Sequence, residues 1–444
     1  MSDETPSGLR RIDLSRIVNE LLKNARPIPL EFFADGAFIQ GTIDEYLTSS
    51  GLSSETTLRL DYQPASLPPT YAASFEHEDW VSSLDVLSGS SLAGQNKVEP
   101  GNERIISGCN NGAFQIWNMS SDILATSSLD IDDPQIVNGI RAVKFISPSR
   151  VVSSTFQGQV TVWDYIDHDA SLKPYVHLDG HSKSVASLSI NSSCQRILTG
   201  SCDHTIGLWS PKKSENPAAP SSAQSQTLSN KSNKKLRKAS TGPICGALSI
   251  LKGHSAAVSA SMFSSTDDTV AYSASEDHKV ITWDLTSSKA VDTRVTSSAL
   301  FTLTTLPSLN LLAVGASPNH ITLVDPRATA TSVTAMTLKG HRNRVVSLAS
   351  DPTSDHGLLS GSHDSTCKVW DLRSLRREID GTTTSSPTFT ILRKSQIGKS
   401  RPEQGGESSV YAVAWDRDVG IISGGQDGSV DIHRSHQLVT ANGG

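Results

Sequence analysis

Ser360-Gly-Ser-His-Asp-Ser-Thr-Cys-Lys-Val-Trp-Asp371 decides the fold, because close relatives of this stretch recur along the chain. A tight turn at Asp364 leads into a run in which Cys367 and Val369 alternate with Lys368 and Trp370, the period-two pattern of a strand with one face in a core. Upstream lies Gly340-His341. His341, Ser362, Asp364 and Trp370 together predict a relay: the turn carboxylate accepts from the imidazole, the other ring nitrogen meets the Ser hydroxyl, and that hydroxyl reaches the indole N–H. The same spacing returns in His181, Ser201, Asp203 and Trp209, and again in His254, Ser275, Asp277 and Trp283. An activated Ser-His-Asp nucleophile is needed once, whereas three evenly spaced copies are what a structural network needs, so hydrolysis is set aside.

On these residues the chain resembles the WD-repeat β-propellers, whose blades carry such a tetrad. The Trp position serves as a marker at Trp117, Trp163, Trp209, Trp283, Val324, Trp370 and His433, spaced roughly 41 to 46 residues where no insertion intervenes. Seven blades are predicted over 70–436. Several are degenerate: the turn holds Asn111 in blade one and Gln157 in blade two, Val324 replaces Trp in blade five, and blade seven keeps Asp427 without Trp. Too little chain follows His433 for an outer strand, so Tyr71 to Phe75 is expected to supply it and close the ring.

Two insertions break the spacing. Residues 211–241 are rich in Ser, Asn, Ala and Lys and are expected to be disordered. Within them Lys231, Lys234, Lys235, Arg237 and Lys238 form a basic cluster that reads as a nuclear address, an RNA-phosphate contact or a solvated loop. Residues 380–407 are expected to contain a peripheral strand around Ile391-Leu392 and a loop.

Residues 1–66 follow another pattern. Ser15 is expected to cap a helix carrying Ile17, Val18, Leu21 and Leu22, with Leu30–Phe33, Asp35-Gly36 and Ala37–Ile39 forming a hairpin. A short helix over Thr42–Leu47 closed by Gly51 and a strand over Thr57–Tyr62 complete the second part of a ubiquitin-like β-grasp. The run from Leu14 to Val86, including Ile28-Pro-Leu-Glu-Phe, Glu45-Tyr-Leu-Thr, Gly51-Leu-Ser-Ser-Glu-Thr, Pro68-Pro and Asp79-Trp-Val-Ser-Ser-Leu-Asp, is more specific. It resembles the eukaryotic ribosome-biogenesis WD-repeat factors with a Notchless-like N-terminal domain, members of the Pescadillo–Block-of-proliferation complex. That domain begins with a hairpin before its first helix. Here only about a dozen polar residues precede the helix, so a mainly β chain is expected in which the small α+β domain lacks its first hairpin and its last strand has an unpaired edge.

The resemblance implies an adaptor in large-subunit assembly and ribosomal RNA maturation, located in the nucleus, nucleolus and nucleoplasm. It binds a Block-of-proliferation-type propeller protein and a Pescadillo-type protein on the pre-ribosome. It also implies that Glu55 docks in trans on the metal-ion-dependent adhesion site of a Midasin-type AAA ATPase, where a carboxylate fills the open position of an octahedral Mg²⁺. Asp44 and Glu45 are weaker alternatives. Arg327, Arg342 and Arg344 could line one propeller face. The competing readings are a generic propeller scaffold, such as a ubiquitin-ligase substrate receptor, and an RNA binder acting through the basic insertion.

Composition narrows the rest. The 444 residues carry 39 Lys+Arg against 45 Asp+Glu, a net charge of −6 that argues against a globally basic nucleic-acid binder. Cys109, Cys194, Cys202, Cys245 and Cys367 are scattered singly, without a Cys-x-x-Cys pair. No apolar leader and no run of about 18 apolar residues is present, so secretion and membrane spanning are not expected. A P-loop, a Gly-rich dinucleotide turn and His-Glu-x-x-His are all missing, so neither enzyme activity nor a cofactor or metal held by the chain alone is expected.

Overall fold

The computed structural model describes residues 8–23, 27–34, 37–39, 41–51, 53, 57–95, 97–128, 139–167, 169–219, 243–327, 336–377, 383–396 and 408–434. The N-terminal unit comprises α1 (Arg11–Leu21), β1 (Leu30–Ala34), β2 (Ala37–Phe38), α2 (Ile43–Ser50) and β3 (Leu60–Pro64). Its sheet runs β2-β1-β3, all antiparallel, over a core of Leu14, Leu30, Phe32, Ile39, Ile43 and Leu47. Among the described residues β3 pairs only with β1, and its other edge is open.

Local chemistry sets the ends of these elements. Thr42 and Glu45 cap α2 reciprocally and Gly51 ends it at φ +67°, a left-handed conformation that favours glycine. Ser15 is no cap: α1 starts earlier, with Arg10 as its N-cap, and Ser15 sits inside it, donating to the Ile28 carbonyl (3.2 Å) and accepting from Leu30 N–H (3.1 Å). Asn19, four residues on, exchanges two bonds with the Ile28 backbone (2.9 and 2.7 Å), so the helix holds the first strand through polar side chains. The last strand begins three residues later than its apolar alternation suggests.

From Thr70 the chain forms a seven-bladed ring. The inner strands are Val81–Leu87, Ile140–Ser147, Val185–Ile190, Val258–Phe263, Leu300–Leu306, Val345–Ser350 and Val410–Asp416. Each blade has at least four strands, with apolar side chains buried between neighbouring blades. Blades approach closely where the middle strand carries glycine: a Cβ on Gly361 would meet Val413 at 2.7 Å and Val410 at 2.8 Å. Closure follows the expected route. β4 (Thr70–Glu76) is the outer strand of blade seven, antiparallel to Ser429–Arg434, and Phe75 stacks on Trp117 of blade one at 5.4 Å.

The first insertion is more structured at its described ends than composition suggests, and the second holds the strand expected around Ile391-Leu392. In the first, residues 211–219 are folded: Glu215 pairs with Arg196 (2.7 Å), and Ala218 bridges Cys245. Ile244–Cys245 then lies parallel to Ser171–Leu178 as a fifth strand of blade two. In the second, Thr383–Ser385 extends blade five and Phe389–Leu392 is the outer strand of blade six. The polar backbone of these segments is satisfied by sheet edges, which composition does not register.

Candidate functional site

The three full relays form, with one correction to their membership. In blade six His341 Nδ1 meets Asp364 at 2.8 Å, Nε2 meets Ser360 Oγ at 2.6 Å, and the Trp370 indole donates to Ser360 at 2.8 Å. Blade four repeats this with His254, Asp277, Ser273 and Trp283, and blade three with His181, Asp203, Thr199 and Trp209. The hydroxyls are therefore Thr199, Ser273 and Ser360, not Ser201, Ser275 and Ser362. Trp370 lies opposite Leu358, and the residue two further on that face is Ser360; Ser362 is another pleat away, near the turn. There Ser362 donates to the Arg344 carbonyl (2.9 Å) and accepts from Asp364 N–H (3.2 Å), with Ser201 and Ser275 placed likewise.

Burial raises the affinity of the Asp364 carboxyl for its proton, but bonds from His341, Thr366 and Arg342 N–H outweigh it and hold the group at about 2. Desolvation pushes His341 and His254 below the usual imidazole range. The His341–Asp364 and His254–Asp277 pairs are thus carboxylate with neutral imidazole, and Ser360 is fully buried, out of reach of a substrate.

One degenerate blade keeps the network with another group, and a second keeps only its indole–hydroxyl half. In blade seven Arg393, 1 % exposed, forks onto Asp427 (2.7 and 2.9 Å) and reaches Ser423, which occupies the hydroxyl position. A guanidinium has replaced the histidine. The signal was available, since Asp427 had no histidine upstream and a carboxylate taken out of water needs other donors. In blade one His77 stands at the histidine position, edge-on to Trp117 at 4.8 Å, and contacts Cys109 Sγ at 3.2 Å; burial takes its pKa down to about 4.

One end of the central channel is open and aromatic. Trp80 (44 % exposed) and Tyr411 lie 6.1 Å apart, Arg141 covers Phe156 at 5.3 Å, and Arg344 covers Phe301 at 5.6 Å. With Glu276 and His363 they rim a mouth of about 400 Å³ that leads into the channel. His363 is held down to about 4 by burial and by the Arg344 and Arg141 charges. At the other end the loop after the first inner strand crosses beneath the channel. Ser88 bonds Asp416 of blade seven (2.7 Å) and Gln95 bonds the Ser192 carbonyl of blade three (2.9 Å).

The remaining expected residues separate. Arg342 and Arg344 lie at the mouth end, where the inner strand of blade six begins. Arg327 follows the third strand of blade five at the opposite end and pairs with Asp325 (3.1 Å), so the three do not share a face. Glu45 is occupied in its cap, bonding Thr42 N–H (3.3 Å). Glu55, and Lys231, Lys234, Lys235, Arg237 and Lys238, lie outside the described residues.

The N-terminal unit touches the ring at that opposite end, at the turn after Trp370-Asp371. Arg373 donates to Gln63 Oε1 (3.0 Å), lies over Phe33 (4.5 Å) and accepts Phe38 N–H on its carbonyl (3.2 Å). Beside it is a cleft of about 540 Å³ in which burial raises the pKa of Glu31 and of Asp351.

Residues 4–47 match the NLE (NUC135) domain, and 172–210, 246–284 and 332–371 match the WD domain, G-beta repeat. The ribosome biogenesis protein ytm1 of Emericella nidulans is 46 % identical over 448 residues, covering 98 % of this chain and 92 % of that protein. Its namesake from Aspergillus oryzae is 47 % identical with the same coverage, and that from Aspergillus clavatus 44 % identical, covering 98 % and 91 %. With an NLE domain, a closed seven-bladed ring and this identity along nearly its whole length, the chain belongs to the ytm1 family of ribosome biogenesis proteins.

Proposed function

We propose that the chain is a non-enzymatic assembly adaptor of the large ribosomal subunit that works from two ends of one body. The propeller mouth takes a partner protein, a Block-of-proliferation-type propeller held with a Pescadillo-type protein on the pre-ribosome. The N-terminal domain offers Glu55 to the Mg²⁺ of a Midasin-type AAA ATPase, which pulls the complex off. The observation that carries the reading is the aromatic rim of exposed Trp80 and Phe156 and half-buried Phe301 and Tyr411, interleaved with Arg141 and Arg344, the residue types that concentrate binding energy at protein interfaces. Its position supports simultaneous engagement, because the N-terminal domain docks at the other end of the ring.

Affinity purification from cells tests both halves. Trp80→Ala combined with Tyr411→Ala is expected to lose the partner propeller and keep the ATPase. Glu55→Gln, which removes the charge but keeps an oxygen, is expected to do the reverse and to trap the protein on precursor particles in the nucleolus. Retention of both partners by both variants would overturn the assignment; recovery of cullin subunits in place of large-subunit precursors would favour the scaffold reading. The cluster Lys231, Lys234, Lys235, Arg237 and Lys238 is proposed as a nuclear address, and its neutralisation is expected to lower nuclear accumulation; unchanged localisation with lost RNA crosslinks would assign it to phosphate instead.

A further inference from the structure

We propose, on the reading that a motor pulls on the N-terminal domain, that the Arg373 junction is a latch deciding where the pull enters the ring. Two routes join the domain to the propeller. The covalent route is short: β3 ends at Pro64, and after Ala65–Pro69 the chain is already β4, the strand that closes blade seven. Tension along that linker acts on Thr70 and loads the ladder that runs from Thr70–Arg434 to Glu76–Ser429. If β4 yields, Phe75 leaves Trp117 and the ring opens between its last and first blades.

The second route bypasses that strand. Arg373 is braced by Asp371 (2.6 and 3.0 Å) and grips all three strands of the N-terminal sheet, through Phe33 of β1, Phe38 of β2 and Gln63 of β3. Directly behind it stands the complete relay of blade six, ending in Trp370. While the junction holds, a pull is delivered to blade six and β4 carries little of it. Among the described residues Arg373 makes two hydrogen bonds and one ring contact to the domain, beside an open cleft, so the junction opens before the seven-residue strand β4 with Phe75 packed behind it. Once open, the five linker residues straighten to about 17 Å, at roughly 3.4 Å each, and the load passes to β4.

Optical-tweezers stretching of the full chain tests this without any motor, with handles on the exposed Asp61 and on the exposed Ser287–Ser288 turn of blade four. The wild type is expected to lengthen in two steps. The first is a low-force gain of at most about 2 nm, the straightened linker, which recovers on relaxation; the second is a high-force opening. Arg373→Ala, and Gln63→Leu, which leaves the propeller untouched, are expected to abolish the first step and preserve the second. Phe75→Ala is expected to lower only the second force. A single-step wild type, or a first step that survives Arg373→Ala and Gln63→Leu, overturns the latch. Failure of the ATPase to bind would remove the motor and leave these steps unchanged, so the two readings fail separately.

Discussion

Blades six and seven bury a carboxylate at the same place in the repeat and neutralise it differently. In blade six Asp364 is held by a neutral imidazole and by backbone and hydroxyl donors; in blade seven Asp427 is held by the two-pronged guanidinium of Arg393, which also lies 3.9 Å from the fully buried Asp431. The repeat preserves the carboxylate and its need for donors more strictly than it preserves the histidine. The two solutions differ in cost. A neutral relay can lose one member and leave polar groups unmatched, whereas a buried ion cluster that loses its cation leaves bare charge.

The largest effect is therefore expected in the blade without the motif. Arg393→Met should destabilise the protein by about 3–5 kcal/mol in urea unfolding, because Asp427 and Asp431 remain buried without it. A loss below that of Asp364→Ala would break the comparison. Asp364→Ala should cost about 1–3 kcal/mol, the price of an unmatched His341 in blade six.

Hydroxyl substitutions sharpen the relay itself. Ser360→Ala should cost on the order of 1 kcal/mol and move the Trp370 indole N–H resonance, whereas Ser362→Ala should leave that resonance in place. Equal indole shifts from both would refute the hydroxyl assignment.

Acid should separate the groups by pH. His77 and His363, depressed to about 4, bind protons more readily when unfolded, so their contribution is present above about 6.5 and is lost as pH falls towards 4. Asp364, depressed to about 2, contributes fully above its unfolded value near 3.9, and that contribution is lost as pH falls further towards 2. Stability measured from pH 7 to 2 should fall in two stages, and His363→Gln should flatten the first. The smallest effect is expected from replacing 220–242 by a short Gly/Ser bridge that keeps the folded flanks: unfolding should shift by less than about 0.5 kcal/mol, and a larger drop would mean that the segment packs.

Much of this architecture was legible in the sequence because strand alternation and the Trp marker report burial directly. The seven blades, the closing strand and the short capped helix all followed from local pattern. What was not legible depended on geometry between elements. Ser360 and Ser362 share a strand face, and only the register against Trp370 tells which one reaches the indole. Ser15 carries the signature of a helix start, yet it and Asn19 serve the strand beside them. Arg393 lay in a segment read as insertion, and its partner is 34 residues away. At the candidate site, Arg344 was noticed as a charge, but the mouth is made by residues from several blades, and no local period marks residues that meet only when the ring closes.

The closing strand also has a consequence during synthesis. Ser74 of β4 bonds Asp431 across 357 residues of chain, so β4 emerges from the translating ribosome long before its partner exists. At about 5–20 residues per second the wait is roughly 20–70 s. Throughout it β4 is an unpaired edge, Phe75 has no blade-seven neighbours, and the first six blades form an open arc with two exposed flanks. Nascent chains are therefore most exposed to misassembly just before Ser429–Arg434 is made, and that strand is the one that ends the exposure.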